Sequence, residues 1–297
     1  MTRWSYLAAA AILVLVGNTS SFAQGNSHRN KDKGSPPSRN TLPPPTAIGR
    51  STGATPFAWL DDASLMRPGG VWFGISLARW AGTDISEIDV PVVDVAIGLT
   101  PRLQIGASVP RVVGSSDSAG AAGGLGTTYF NAKIGVLNVE PLGFRMAIAP
   151  TLEVLSGSAL EAAPDQRRMQ WGLPASAEIE RGSARVYAST GYFSRGVWFA
   201  GAGGGWQATP RLATSVSFSR AWSTTVSADP TVPSPNRNEV SAGAFYSLKS
   251  NLGVFGTVGH TIATDDADGA GMTVSIGISL MVQPAGERIV KARRRKV

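Results

Sequence analysis

From Gly271 to Val282 the chain alternates without interruption. Met272, Val274, Ile276, Ile278, Leu280 and Val282 share one parity; Thr273, Ser275, Gly277 and Ser279 share the other. Successive side chains of a strand point to opposite faces, so this spacing predicts a strand with one apolar face and one small, polar face. Roughly 11 residues in a tilted strand are enough to cross a hydrocarbon layer. No charge interrupts the run.

The same rule governs the chain from residue 69 onward. Val71, Phe73, Ile75 and Leu77 alternate with Trp72, Gly74, Ser76 and Ala78; Val93, Val95, Ile97 and Leu99 alternate with Val92, Asp94, Ala96 and Gly98. Leu103, Ile105, Ala107 and Val109 oppose Gln104, Gly106 and Ser108; Phe130, Ala132, Ile134 and Val136 oppose Tyr129, Asn131, Lys133 and Gly135. Phe144, Met146, Ile148, Leu152 and Val154 oppose Arg145, Ala147, Thr151 and Glu153; Met169, Trp171, Leu173, Ala175, Ala177 and Ile179 oppose Gln170, Ser176, Glu178 and Glu180. Further strands are expected at Ser183–Ser194, Val197–Ala208, Leu212–Trp222, Glu239–Leu248 and Asn251–Thr261. About twelve strands result, an even number, as single-chain bacterial barrels require.

The connections carry a second signal. Thr100-Pro101-Arg102, Glu140-Pro141-Leu142-Gly143, Arg181-Gly182, Thr209-Pro210-Arg211 and Lys249-Ser250-Asn251 are short and rich in turn residues. The intervening connections, Ala81–Glu87, Gly114–Gly123, Gly157–Arg168, Ser223–Arg237 and Ala263–Gly269, are longer and polar; Ser194-Arg195-Gly196 is the exception. Short turns at one end and long loops at the other describe an outer-membrane barrel with both termini in the periplasm. The expected fold is therefore all-β: a closed, antiparallel, transmembrane β-barrel of about 12 strands spanning residues 69–282.

That fold assigns directions to side chains. A Lys or Arg facing lipid near mid-bilayer costs about 2–4 kcal/mol. Asp94, Lys133, Arg145, Glu153, Glu178, Glu180 and Arg185, all on the parity opposite the apolar one, are therefore expected to face the lumen. Mixed signs allow two arrangements: a paired network that braces the barrel, or the wall of a wet pore. Trp72, Trp80, Trp171, Trp198, Trp206, Trp222, Tyr192 and Tyr246 lie toward strand ends, where rings form girdles at the lipid–water boundary. The run Gly201-Ala202-Gly203-Gly204-Gly205 would thin the wall where another side chain comes close.

The ends of the chain differ in kind. Residues 1–23 read as a secretory signal peptide, with Arg3, the apolar run Leu7–Val16, and Ser21-Phe22-Ala23 before a cleavage at Gln24. Residues 24–56 form a polar, Pro-rich linker expected to be disordered. Residues 57–68 are either a lead-in or a short plug, with one helical turn expected over Asp61–Met66 capped by Asp61 and stopped at Pro68. Residues 283–297 make a basic tail, either a solvated end or a weak contact with peptidoglycan. The overall charge of +7 belongs to these ends. Residues 51–286 carry 15 Lys/Arg against 18 Asp/Glu, which argues against nucleic acid as a partner. The absence of cysteine removes disulfides, thiolate nucleophiles and Cys metal sites.

Candidate chemistry is sparse. His28 lies in the linker, and His260 precedes Asp265, Asp266 and Asp268. An outer-membrane lipid hydrolase would need His260 beside Ser275 or Thr273, yet no motif marks a nucleophilic serine. Asp265–Gly269 lacks the ligand spacing of a calcium loop. No catalytic residue, cofactor or metal is expected.

Leu99-Thr100-Pro101-Arg102-Leu103-Gln104-Ile105-Gly106-Ala107-Ser108-Val109-Pro110, followed by Gly124-Leu125-Gly126-Thr127-Thr128-Tyr129-Phe130-Asn131-Ala132-Lys133, resembles the "MetA pathway of phenol degradation" group of outer-membrane transporter-like barrels. The resemblance implies a barrel associated with the breakdown of aromatic compounds. One departure is the C-terminus, where Val282 and the basic tail stand in place of the aromatic residue that insertion machinery reads. The expected function is a narrow channel or transporter for small solutes, aromatic or hydrophobic ones among them. A non-conducting structural or adhesion barrel is the alternative, and a lipid hydrolase the third reading. The expected partners are outer-membrane lipid and lipopolysaccharide, the barrel-assembly machinery and a small-molecule solute.

Overall fold

The computed structural model describes residues 60–82, 86–115, 124–156, 167–194, 196–223, 237–264 and 271–283. They form one antiparallel sheet of thirteen segments: β1 (Val71–Gly82), β2 (Ser86–Thr100), β3 (Leu103–Ser115), β4 (Thr128–Val139), β5 (Phe144–Ile148), β6 (Thr151–Val154), β7 (Met169–Arg181), β8 (Ala184–Phe193), β9 (Val197–Gln207), β10 (Leu212–Ser223), β11 (Arg237–Ser247), β12 (Leu252–Thr264) and β13 (Gly271–Val282). β5 and β6 are two halves of one wall strand, both lying between β4 and β7 and separated by Ala149-Pro150. Proline has no N–H for the ladder. The break is nonetheless bonded to both neighbours: Ala132 N donates to Pro150 O at 3.0 Å and Ala149 N donates to Pro174 O at 2.8 Å. Twelve strand positions therefore run around the wall. β13 pairs with β1 from Val71↔Val282 to Gly82↔Gly271, and β3 pairs with β4, so the sheet closes and leaves no edge.

The two faces carry the chemistry that the alternation predicts. In β13, Met272, Val274, Ile276, Ile278, Leu280 and Val282 are exposed, while Thr273, Ser275, Gly277, Ser279 and Met281 are buried. Ile276 and Val216 are each 64% exposed on the outside. A continuous outer band of large aliphatic side chains around a polar interior is the arrangement of a barrel that spans a membrane. Hydroxyls meet across the inner ladder: Ser217 and Ser241 at 2.6 Å, Thr257 and Ser275 at 2.7 Å.

The aromatic residues divide. Trp171, Tyr192 and Trp198 cluster where β7 begins and β8 and β9 meet, with ring centroids 5.9 and 5.2 Å apart. Trp206 and Tyr246 are exposed at the opposite, turn end. The expectation that Trp72 and Trp80 belong to the girdles is corrected, because both are buried inside. Their parity sets this: Val71, Phe73, Ile75 and Leu77 take the outer face of β1, so the even positions turn inward. Trp72 packs with Met66, Ala96, Ala213, Phe245, Phe255 and Met281 in an apolar cluster at the turn end.

Residues 60–66 lie inside the barrel. Ala63 and Ser64 are fully buried, and Met66 is 1% exposed. The chain crosses from wall to lumen at Gly69-Gly70. Gly69 N donates to Gly98 O at 2.7 Å and Gly98 N donates to Gly70 O at 3.0 Å. Gly69 has φ 74°, a conformation that favours glycine. A Cβ on Gly98 would overlap the Arg67 carbonyl, so this crossing needs glycine in the wall.

The helical turn expected at Asp61–Met66 does not form. Asp62 Oδ1 instead accepts the N–H of Ser64, two residues on, at 3.0 Å. This local turn competes with a helical cap. Residues 57–59, the signal peptide, the Pro-rich linker, His28, Asp265, Asp266 and Asp268, and the tail beyond Gln283 lie outside the described residues.

Candidate functional site

The site follows from the inner parity of six wall segments and the segment Leu60–Met66 laid along them. β3 supplies Gln104, β4 Lys133, β5 Arg145, β7 Ser176, Glu178 and Glu180, β8 Arg185 and Tyr187, and β9 its glycines. Each strand presents these groups at alternate positions because the intervening ones are apolar and face outward.

Lys133 Nζ lies 2.9 Å from Asp61 Oδ2 and 3.4 Å from Asp62 Oδ1. Arg185 Nη1 donates to Asp62 Oδ2, and its guanidinium carbon sits 5.3 Å from the centre of the Tyr187 ring. Ser176 Oγ donates to the Asp62 carbonyl at 3.0 Å. Ser64 Oγ donates to Glu178 Oε2 at 2.6 Å and accepts from Arg145 Nη1 at 3.0 Å; Arg145 Nη2 reaches Glu180 Oε2 at 2.8 Å. Met66 N donates to Gln104 Oε1 at 2.9 Å. The segment thus brings two carboxylates, a hydroxyl and a backbone N–H to a wall offering two cations, a paired Arg–Glu group and an amide. Buried charges require such pairing, because desolvating a lone one costs several kcal/mol.

The glycine run of β9 makes room for this. A Cβ on Gly201 would lie 2.6 Å from Leu60 Cδ2 and 2.5 Å from Phe218 O, and one on Gly203 would enter the Tyr187 ring. Leu60 and Tyr187 both occupy space that a side chain on β9 would have taken.

Of the seven residues expected on the lumen side, Lys133, Arg145, Glu178, Glu180 and Arg185 meet in this one network. Glu153 is fully buried next to them on β6 and accepts from Tyr129 OH at 3.1 Å. Asp94, 1% exposed, stands apart on β2 with Ser108 as its cross-strand neighbour. Asp61, Asp62 and Ser64 were not among the seven; the acidic pair before an apolar position, Asp61-Asp62-Ala63-Ser64-Leu65-Met66, was their only sign.

A second inward group was missed as well. Arg237 and Glu239 are buried on β11, Arg237 Nη2 lying 3.1 Å from Glu239 Oε2. β11 begins two residues before the expected start, and extending its parity from Phe245 back to residue 237 would have found both.

His260 pairs with Met272 and points outward with Val258 and Ile262, whereas Thr273 and Ser275 point inward. Residues on opposite faces of a sheet cannot share a proton, so no hydrolase triad assembles there. No group of three or more metal-ligating side chains occurs among the described residues.

The fold is similar to that of several solved outer-membrane channels. An outer-membrane channel from Pseudomonas putida F1 is similar at 10% identity with a TM-score of 0.56, covering 74% of this chain and 98% of that one. The NanC porin (6% identity, TM-score 0.52) and the KdgM porin (8%, 0.51) cover 70% and 71% of this chain, and 98% and 99% of their own. These likenesses are of fold. No family model and no curated protein sequence matches the chain.

Proposed function

We propose that this protein is an outer-membrane channel for small solutes, narrowed by its own segment Leu60–Met66. The observation that carries this is a closed barrel whose outside is aliphatic and whose inside holds buried charge from one wall to the other. A purely structural barrel has no need of cations and carboxylates in its interior, where each costs free energy unless paired. The outer band supports lipid and lipopolysaccharide as its surroundings, and the short turns at the Val71 end support a periplasmic position for both termini. Asp94, Lys133, Arg145, Glu153, Glu178, Glu180 and Arg185 are the lining groups in this reading. The resemblance of Leu99–Pro110 and Gly124–Lys133 to the "MetA pathway of phenol degradation" group adds aromatic compounds to the candidate solutes.

A second reading, a barrel that conducts nothing, is favoured by one observation: the ion pairs of Asp61 and Asp62 tie the segment to the wall. Planar-bilayer recording separates the two. The channel reading expects small conductance steps from the folded protein, and larger ones when Asp61→Asn and Asp62→Asn are combined. A folded barrel silent in both forms would leave the structural reading standing.

A further inference from the structure

The upper half of the lumen, on the wall formed by β10 to β13 with β1 and β2, holds polar groups that the channel reading has not used. Arg237 and Glu239 lie at the loop end of β11, Thr261 on β12, Thr273 on β13 and Trp80 on β1. All five are buried, between 1% and 7% exposed. The register places them side by side: Glu239 is opposite Thr261, and Trp80 is opposite Thr273. A Cβ on Gly271 would lie 2.9 Å from Trp80 Nε1, so the indole N–H edge lies over the β13 backbone just above Thr273.

Beyond the single Arg237–Glu239 bridge, their polar atoms find no hydrogen-bond partner among the described residues. These are Arg237 Nε and Nη1, Glu239 Oε1, Thr261 Oγ1, Thr273 Oγ1 and Trp80 Nε1. A buried polar atom left without a partner costs about 1–3 kcal/mol, so a row of them on adjoining strands is expensive unless something binds there. The row mixes donors (guanidinium, indole) with an acceptor (carboxylate) and with hydroxyls that are both. A solute hydroxyl also donates and accepts at once, and neighbouring hydroxyls match neighbouring donor–acceptor positions. Charge narrows the class. Arg237 is already bridged to Glu239, so the site offers an anionic solute no unpaired cation.

We propose that Arg237, Glu239, Thr261, Thr273 and Trp80 form a binding site for a neutral solute bearing adjacent hydroxyl groups. The site rests on the reading that solute enters the lumen, and it names the solute's chemistry.

The test is calorimetric titration of the folded, full-length protein in detergent with maltose, sorbitol and glucuronate. Binding of maltose alone assigns a sugar ring laid on the indole; binding of sorbitol as well assigns hydroxyls without a ring. Glu239→Gln and Thr261→Val should each weaken binding about tenfold, the loss of one or two buried hydrogen bonds. Val216→Ala, on the outer face, should leave it unchanged. Unboiled gel mobility checks that each variant is folded, and Thr261→Val, which removes one hydroxyl, carries the comparison should Glu239→Gln fail that check. No binding of either neutral probe, wild-type affinity in the folded variants, or glucuronate binding as tightly as maltose would overturn the proposal. Titration needs no conduction. A barrel that conducts yet binds neither probe therefore sinks this site alone, and a silent barrel that binds them sinks the channel reading alone.

Discussion

The lumen has two walls built from the same strand geometry and treated oppositely by the chain. Along β3 to β9, inward charges are paired with Asp61, Asp62 and Ser64, which the chain itself carries into the barrel, although Arg185 Nε and Nη2 keep no hydrogen-bond partner among the described residues. Along β10 to β2, the turn end is filled by apolar packing around Met66 and Trp72, and the loop end keeps polar atoms unmatched. The contrast separates charge that holds a structure together from charge that awaits a ligand. On the first wall the ions share partners, so removing one carboxylate strands more than one cation. On the second, the lone Arg237–Glu239 pair can be removed whole without stranding another ion.

Breaking the pairing on each wall should therefore have unlike effects. Asp62→Ala leaves Arg185 without its carboxylate and Lys133 with half of its own. The expected loss is about 3–5 kcal/mol, read as a lower urea midpoint for the folded band in micelles. The double replacement Arg237→Met with Glu239→Leu removes a whole pair and should cost nothing or stabilise, since an apolar pair of similar size avoids desolvation. Equal losses at both walls would erase the distinction. Next in size is the inside–outside difference. Ile276→Lys places a charge on the lipid face and should cost about 2–4 kcal/mol, measured by the same unfolding curve. Gly201→Ala comes third, at about 1–3 kcal/mol from overpacking against Leu60 and the Phe218 carbonyl. It should also raise conductance by pushing the segment off the wall. Smallest is His260→Ala, expected within about 0.5 kcal/mol of wild type and without effect on any esterase activity.

The parity of the strands was legible because a membrane barrel allows so little freedom. One face must be aliphatic and the other must take every charge, so Lys133 and Glu178 could be placed by counting in twos. The same count would have turned Trp72 and Trp80 inward. Position near a strand end suggested girdles, but nearness to an end does not say which face a ring takes. The segment Leu60–Met66 was harder. Its partners Lys133, Arg145, Glu178 and Arg185 lie between 71 and 123 residues away in sequence from the Asp62 and Ser64 groups they meet. Nothing local announces such pairing, and a short acidic stretch before a proline reads equally as a helix cap. Arg237 was hidden for a simpler reason: it borders a long polar connection, and strand boundaries at such borders shift by a few residues.

The central claim is that a closed barrel carries its own segment inside it, and Ser64 tests this most directly. The chain contains no cysteine, so Ser64→Cys introduces a single, nearly isosteric thiol at a fully buried position. A membrane-impermeant maleimide added to outer-membrane fractions should leave that thiol unmodified in the folded band, and modify it fully once the protein is boiled in detergent. Modification of the folded protein as fast as the boiled one would place the segment outside the barrel and contradict the account.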